Sequence, residues 1–278
     1  VLVPDMLDPV ECVDGSSLSF SEFVELLLSH RNRHFSALVA EVATKVLFAE
    51  RLQDNIILSR LLAMYFDPSK PDQELEGEIT EPGNPHRMQQ LLSLFFPAIA
   101  IKSANGRTAL LGALEGALEA SLKPFSKKVK KRPPLFPMAK MVEYVFAVVA
   151  ESTEITSEST TEVENPTEGM SKEDNSNTAT FGLLASQQVA SFLTNHESEL
   201  SVTQLRSLFK FVASQELTQS DLAKPQARLL KEYLEDLEEI VSDATSLRSI
   251  RPTLKILSQV RFEEKQDIVV SEDESDEG

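Results

Sequence analysis

The stretch Asp54-Asn-Ile-Ile-Leu-Ser-Arg-Leu-Leu-Ala-Met-Tyr-Phe-Asp-Pro68 decides the architecture. Ile57, Leu58, Leu61, Leu62 and Tyr65 recur at helical spacing, and Asp67-Pro68 stops the pattern because a residue before proline is pushed out of the helical region. The apolar stripe is too wide for a surface helix, so the helix predicted over 54–66 must lie between neighbours. Both flanks supply them. Upstream, Ser19-Phe-Ser-Glu22 has the spacing of a capping box, and Phe20, Phe23, Val24, Leu27 and Leu28 follow at helical intervals. From Phe35 to Phe48, the positions Leu38, Val39, Val42, Val46 and Leu47 are expected on one inward side.

Downstream, helical pattern resumes at His86, and Met88, Leu91, Leu92, Leu94, Phe95 and Phe96 precede Pro97. Leu110–Leu122 reads as one Ala/Leu/Gly-rich helix, and Met138–Val149 as another. Phe181–Leu193, Val202–Leu217 and Gln226–Val241 are amphipathic, the last opened by Pro225. Thr245–Val260 closes the series, with Pro252 at a start or a kink. Period-2 alternation is scarce outside Gln266–Val270, so the expected class is all-α. About eight helices of roughly 12–18 residues, paired at roughly the 40–47-residue spacing of HEAT-type arrays, suggest a HEAT-like α-solenoid of antiparallel helix pairs. An irregular helical bundle fits the same pattern.

The expected organisation is helical repeats over 1–149, interrupted by a Pro- and acid-rich loop at 67–86. A disordered Ser/Thr/Glu-rich linker at 150–178, a C-terminal helical segment at 179–262 and a disordered acidic tail at 263–278 follow. The linker has too few large apolar side chains to offset its ordering entropy. Over the 278 residues, 44 Asp and Glu against 27 Lys and Arg give a formal charge of −17. The loop, linker and tail together hold 22 acids and 3 bases, which leaves the remainder with 22 acids and 24 bases. Acidity therefore belongs to the connecting segments, and the helical body is slightly basic; the acidic tail is expected to compete with DNA for it.

No apolar run approaches the roughly 20 residues of a spanning helix, and the longest, Leu91–Ile101, contains Pro97, so no membrane partner is expected. A single cysteine, Cys12, forms no internal disulfide and points to a reducing compartment. The chain opens on Val1 without a Met or a signal-peptide pattern and reads as a piece of a longer protein.

Enzyme motifs are missing: no phosphate-cradling glycine loop, no H-E-x-x-H and no G-x-S-x-G. His30 and His34 share the spacing of two ligands on one helical face, but Arg31 and Arg33 flank them and would repel a cation. Glu238-Glu239 reads as a solvated face. No cofactor is expected.

What stands out is the placement of positive charge. Lys127, Lys128, Lys130, Lys131 and Arg132 put five cations within seven residues, as a nuclear-import signal, a phosphate-binding patch or an exposed loop. If all five met DNA phosphates, log K would fall against log[salt] with a slope of roughly −4 to −5, and without base-reading side chains the contact would be sequence-independent. Arg248, Arg251 and Lys255 lie along one stripe of their helix, opposite Leu247, Ile250, Leu254 and Leu257, with no acid between Ala244 and Phe262. This second basic face reads as a solvated face or as a contact for DNA or an acidic partner. Ser271 and Ser275 stand directly before acids, a context that suits acidophilic kinases.

The run Ile57–Pro68, a variable acidic loop, and then His86-Arg-Met-Gln-Gln-Leu-Leu-Ser-Leu-Phe-Phe-Pro97 resembles the C-terminal region of the condensin CAP-G family. That family has a helix ending in an aromatic-(Asn/Asp)-Pro turn, followed by R-x-x-Q-x-L-x-x-F-F-P. Arg60, Tyr65, Phe66 and Pro68, then Arg87, Gln90, Phe95, Phe96 and Pro97, occupy those places here, with Tyr65 where Trp is frequent. Leu234–Leu257 is similar to the family's closing helices. The resemblance implies a HEAT-repeat, non-SMC condensin subunit without ATPase activity. Such a subunit binds the kleisin chain and, with it, double-stranded DNA through the backbone. It meets the SMC subunits indirectly and acts on mitotic chromosomes in the nucleus. The motif residues imply repeat packing. A nuclear HEAT-type adaptor without DNA contact, serving transport or a phosphatase scaffold, is the alternative.

Overall fold

The computed structural model describes residues 10–11, 17–50, 54–67, 83–122, 137–159 and 177–259. Its centre is α3, Asn55–Phe66, opened by Asp54, whose carboxylate accepts the Ile57 N–H at 2.9 Å. Ile57, Leu58, Leu61 and Leu62 are fully buried, as the wide stripe requires. Each contributes roughly 1.5–3 kcal/mol relative to exposure.

The other helices are α1 (Phe20–Leu28), α2 (Arg33–Phe48), α4 (Pro85–Lys102), α5 (Ala104–Gly112), α6 (Leu114–Ser121), α7 (Met138–Ser159), α8 (Asn177–His196), α9 (Val202–Ser214), α10 (Gln219–Leu222), α11 (Pro225–Ile240) and α12 (Ala244–Ser258). They form two layers. In one, α2, α4, α7, α9 and α12 are successive neighbours; in the other, α3 meets α5 and α6, these meet α8, and α8 meets α11. Contacts of α4 with α5, α7 with α8 and α11 with α12 join the layers, and α1 packs on both α2 and α3. This is the stacking of helix pairs expected of helical repeats. A short antiparallel pair, β1 (Val10–Glu11) with β2 (Ser17–Leu18), precedes α1; the strand-like Gln266–Val270 lies outside the described residues.

Several boundaries differ from the sequence reading, each for a local reason. The capping box at α1 forms as the spacing requires: Ser19 N–H donates to Glu22 Oε2 at 2.8 Å, and Glu22 N–H to Ser19 Oγ at 3.3 Å. α4 continues through Pro97 to Lys102. Proline removes only the bond to the Ser93 carbonyl, and Ser93 is exposed to water, while Phe96, Ile99 and Ala100 anchor the second half. Pro252 likewise sits inside α12, where the residue four earlier is the exposed Arg248. The stretch expected as one helix over Leu110–Leu122 starts earlier, at Ala104, and divides at Ala113. Ser103 ends α4 and caps α5, accepting the Gly106 N–H at 3.1 Å.

α7 runs on to Ser159, ten residues into the expected linker. Ser152 and Thr153 are buried because their hydroxyls donate to the Val149 carbonyl, at 2.7 and 2.9 Å, which lets polar residues extend an apolar face. The rest of that linker, 160–176, lies outside the described residues, as does the tail.

The inward face of α2 is also different. Ala37, Ala40, Ala43, Thr44 and Leu47 are buried, whereas Leu38 is 43% and Val42 54% exposed. Small side chains let α2 approach α4 closely, so the close-packing face displaces the bulkier one.

Candidate functional site

Glu41 is the first functional group that the α2 rotation brings inward. Its side chain is 5% exposed, forms an ion pair with Arg87 at 3.2 Å from Nε and accepts the Gly83 N–H at 3.2 Å. Gly83 has φ of 81°, and a Cβ there would stand 2.6 Å from the His34 carbonyl oxygen, so this turn needs glycine. Asn84 then caps α4, its Oδ1 accepting the His86 N–H at 2.9 Å. The acid loop thus rejoins the body through a junction fastened to α2, in which Arg87 of the family-like motif takes part.

Other motif residues build an aromatic cluster. Tyr65 and Phe66 of α3 meet Phe96 of α4 and Tyr144 of α7; the Tyr65 ring lies 5.7 Å from Phe96 and 5.4 Å from Tyr144. Phe66 stands edge-on to Tyr144 at 5.5 Å, and Phe95 is 5.4 Å from Phe96. Such rings are favourable by about 0.5–1.5 kcal/mol per pair beyond their buried area. Burial, with the neighbouring Tyr65 hydroxyl, pushes the Tyr144 phenol well above its ordinary range. Pattern reading misses Tyr144 as a member because α7 is far away in sequence. Gln90 is exposed, Pro97 is half-buried within α4, and Pro68 lies outside the described residues.

Arg60, the remaining motif residue, borders a depression of about 200 Å3 together with Arg31, Arg33, Asp67 and Met88. Its Nε is buried and finds no hydrogen-bond acceptor among the described residues. The flanking His30 accepts the Asn32 N–H on Nδ1 at 3.1 Å and stacks edge-on with Phe35 at 5.1 Å.

The second basic face is less positive than its own helix implies. Arg248 and Lys255 are exposed, but Arg251 Nε donates to Glu238 Oε1 of α11 at 3.3 Å. At the start of α12, Arg206 of α9 forms a two-pronged pair with Asp243 at 2.8 and 3.1 Å. Asp243 also accepts the Ser246 N–H at 2.9 Å. The Arg206 guanidinium, then the Ser246 donors, hold the Asp243 carboxyl well below the usual carboxylate range. An acid absent from 244–262 therefore arrives from a neighbouring helix, as Glu238 of α11. The basic run Lys127, Lys128, Lys130, Lys131 and Arg132, and the candidate phosphosites Ser271 and Ser275, lie outside the described residues.

Among the described residues no three His, Cys, Asp or Glu side chains gather as a metal site, and no helix is long and apolar enough to cross a membrane. Two layers of stacked helices whose motif residues pack, cap or line shallow depressions define an α-helical scaffold of the repeat type. The chain belongs to the Cnd3 family, nuclear condensing complex subunits, C-terminal domain, whose model matches residues 8–217. Among curated proteins none matches the chain. It is thus a C-terminal domain of a condensin non-SMC subunit, from a non-catalytic family of the nucleus whose complex condenses chromosomes. The matched span covers the Arg60–Pro97 motif and ends before α11 and α12.

Proposed function

We propose that this domain scaffolds the kleisin subunit within condensin and adds a sequence-independent contact to double-stranded DNA, with the SMC subunits reached through the kleisin. The observation that carries the scaffold reading is the apolar row that α2 leaves outward. Phe35, Leu38 and Val42 fall on one face at 39, 43 and 54% exposure, in a protein whose family works inside a multi-subunit complex. Exposed aliphatic and aromatic positions in line along one helix suit an extended chain laid across a stack. The DNA contact rests on the five cations of 127–132 and on exposed Arg248 and Lys255.

The scaffold reading is tested by co-purification of the parent subunit with the kleisin. Leu38→Glu with Val42→Glu is expected to lower kleisin retention at least tenfold while the helix content holds; full retention removes this surface from the interface. For DNA, charge reversal at Lys127, Lys128, Lys130 and Lys131 is expected to flatten the salt dependence by about four in slope, and an unchanged slope excludes the patch. The Arg251–Glu238 pair favours a second reading, in which the domain scaffolds protein partners and touches no DNA.

A further inference from the structure

The depression bordered by Arg60 takes no part in the kleisin and DNA surfaces above. It lies between the α1–α2 turn, the last turns of α3 and the beginning of α4, and has a volume of about 200 Å3. Arg31, Arg33 and Arg60 line it against a single acid, Asp67. Leu28 and Met88, 2% and 7% exposed, close its inner wall. Arg31 is exposed and has no ion pair or hydrogen bond among the described residues. Arg60 holds a buried guanidinium nitrogen without an acceptor. On its other flank Arg60 borders a second depression carrying Glu22, Glu25, Glu115 and Glu119, yet none of these forms an ion pair with it among the described residues. A buried donor left unpaired is costly, and an anion entering from the solvent side removes that cost.

We propose that this depression binds the phosphorylated side chain of a serine or threonine in a peptide partner. Three arginines line one depression of side-chain size, which suits the three acceptor oxygens and near-double charge of a phosphate monoester. An ionised aspartate or glutamate brings half that charge and fewer acceptors. Duplex DNA presents phosphates along a convex ridge and meets rows of exposed cations. A phosphorylated side chain projects from a flexible backbone and can enter a depression between helices. Its methylene or methyl groups would lie against the wall of Leu28 and Met88.

The test is capture of an oriented phosphoserine and phosphothreonine peptide library on the full chain, beside the same library after phosphatase treatment. We expect phosphopeptides to be enriched at least tenfold over their dephosphorylated counterparts. Arg31→Glu and Arg60→Gln are each expected to reduce that enrichment at least tenfold, and Lys210→Glu on α9, an exposed cation outside the depression, to leave it unchanged. Arg31 lies on an exposed turn, so its variant reports on binding even if Arg60→Gln destabilises the domain. Equal capture of the two libraries overturns the proposal, as does wild-type enrichment by Arg31→Glu. Displacement of the captured peptides by a short DNA duplex, together with weaker duplex binding in Arg31→Glu but not in Lys210→Glu, would assign the depression to DNA and overturn it as well.

Discussion

The hydroxyl oxygen of Ser59 lies 2.8 Å from the carbonyl oxygen of Ala113, the residue at which the chain breaks between α5 and α6. The break and the contact belong together. On either side of Ala113, glycines replace side chains that would block α3: a Cβ on Gly112 would stand 2.9 Å from Asn55 Nδ2, and one on Gly116 2.8 Å from Ser59 Oγ. Neighbouring helices of one layer meet here at backbone distance, and a buried hydroxyl holds them in register.

Gly116→Ala is expected to destabilise the domain by about 1–3 kcal/mol, because the new methyl overlaps Ser59. Ser59→Ala alone should cost about 1 kcal/mol for the lost buried hydrogen bond. Combined, they should cost less than the sum by at least ~0.5 kcal/mol, since shortening Ser59 makes room for the methyl. Urea denaturation of the three variants measures this; strict additivity would show that the two residues do not press on each other.

At the Glu41 junction, Arg87→Ala leaves a carboxylate that is only 5% exposed without its guanidinium. Because Arg87 itself is 39% exposed and solvent screens the pair, the expected loss is about 1–2 kcal/mol rather than the 3–5 of a fully buried pair. Glu41→Gln should be milder than Glu41→Ala, since an amide oxygen can still accept the Gly83 N–H. Denaturant midpoints of the three variants test the order.

Tyr144 couples stability to high pH. Its phenol is raised in the folded state, so above the ordinary tyrosine value of about 10 the unfolded chain loses a proton that the folded protein keeps. Folding then binds the extra proton, and stability falls as pH rises through and beyond that value. Tyr144→Phe should remove this part of the slope and leave stability at neutral pH nearly unchanged. Denaturation at a series of alkaline pH values decides it.

Asp243 acts in the opposite direction. Its folded carboxyl titrates below the ordinary value of about 3.9, so its pairing with Arg206 and Ser246 stabilises the protein fully above that value and is lost as pH falls through the depressed one. Asp243→Asn should lower the melting temperature at neutral pH and flatten the acid side of the stability profile. A melting temperature equal to that of the wild type at pH 7 would show that the α9–α12 clasp is without effect.

Much of the helical order is legible along the chain. The Ser19–Glu22 box, the α3 stripe from Ile57 to Tyr65 and the Pro225 start of α11 all carry their signal within a few residues, and each appears where periodicity and capping put it. Less legible is which face of a helix turns inward. On α2, bulk points to Leu38 and Val42, but the face of Ala37, Ala40 and Ala43 is buried because close approach to α4 rewards small side chains. Pro97 reads as a stop and is tolerated, since Ser93, whose carbonyl it orphans, is an exposed residue.

The candidate site divides in the same way. Arg60, Tyr65, Phe66, Arg87, Phe95 and Phe96 can be picked out as a motif, yet not their separate destinations: an aromatic cluster completed by Tyr144, a clamp on Glu41, and a depression shared with Arg31. Likewise the Arg248–Lys255 face is uniformly positive on its own helix and loses that character where Glu238 of α11 meets Arg251. Local order, composition and the segregation of acidic charge follow from the sequence alone, because caps, periodicity and proline act over a few residues. Face selection, ion-pair partners and the gathering of Arg31, Arg33 and Arg60 around one depression were decided only by the tertiary structure, because they depend on helices separated in the chain meeting at a few ångströms.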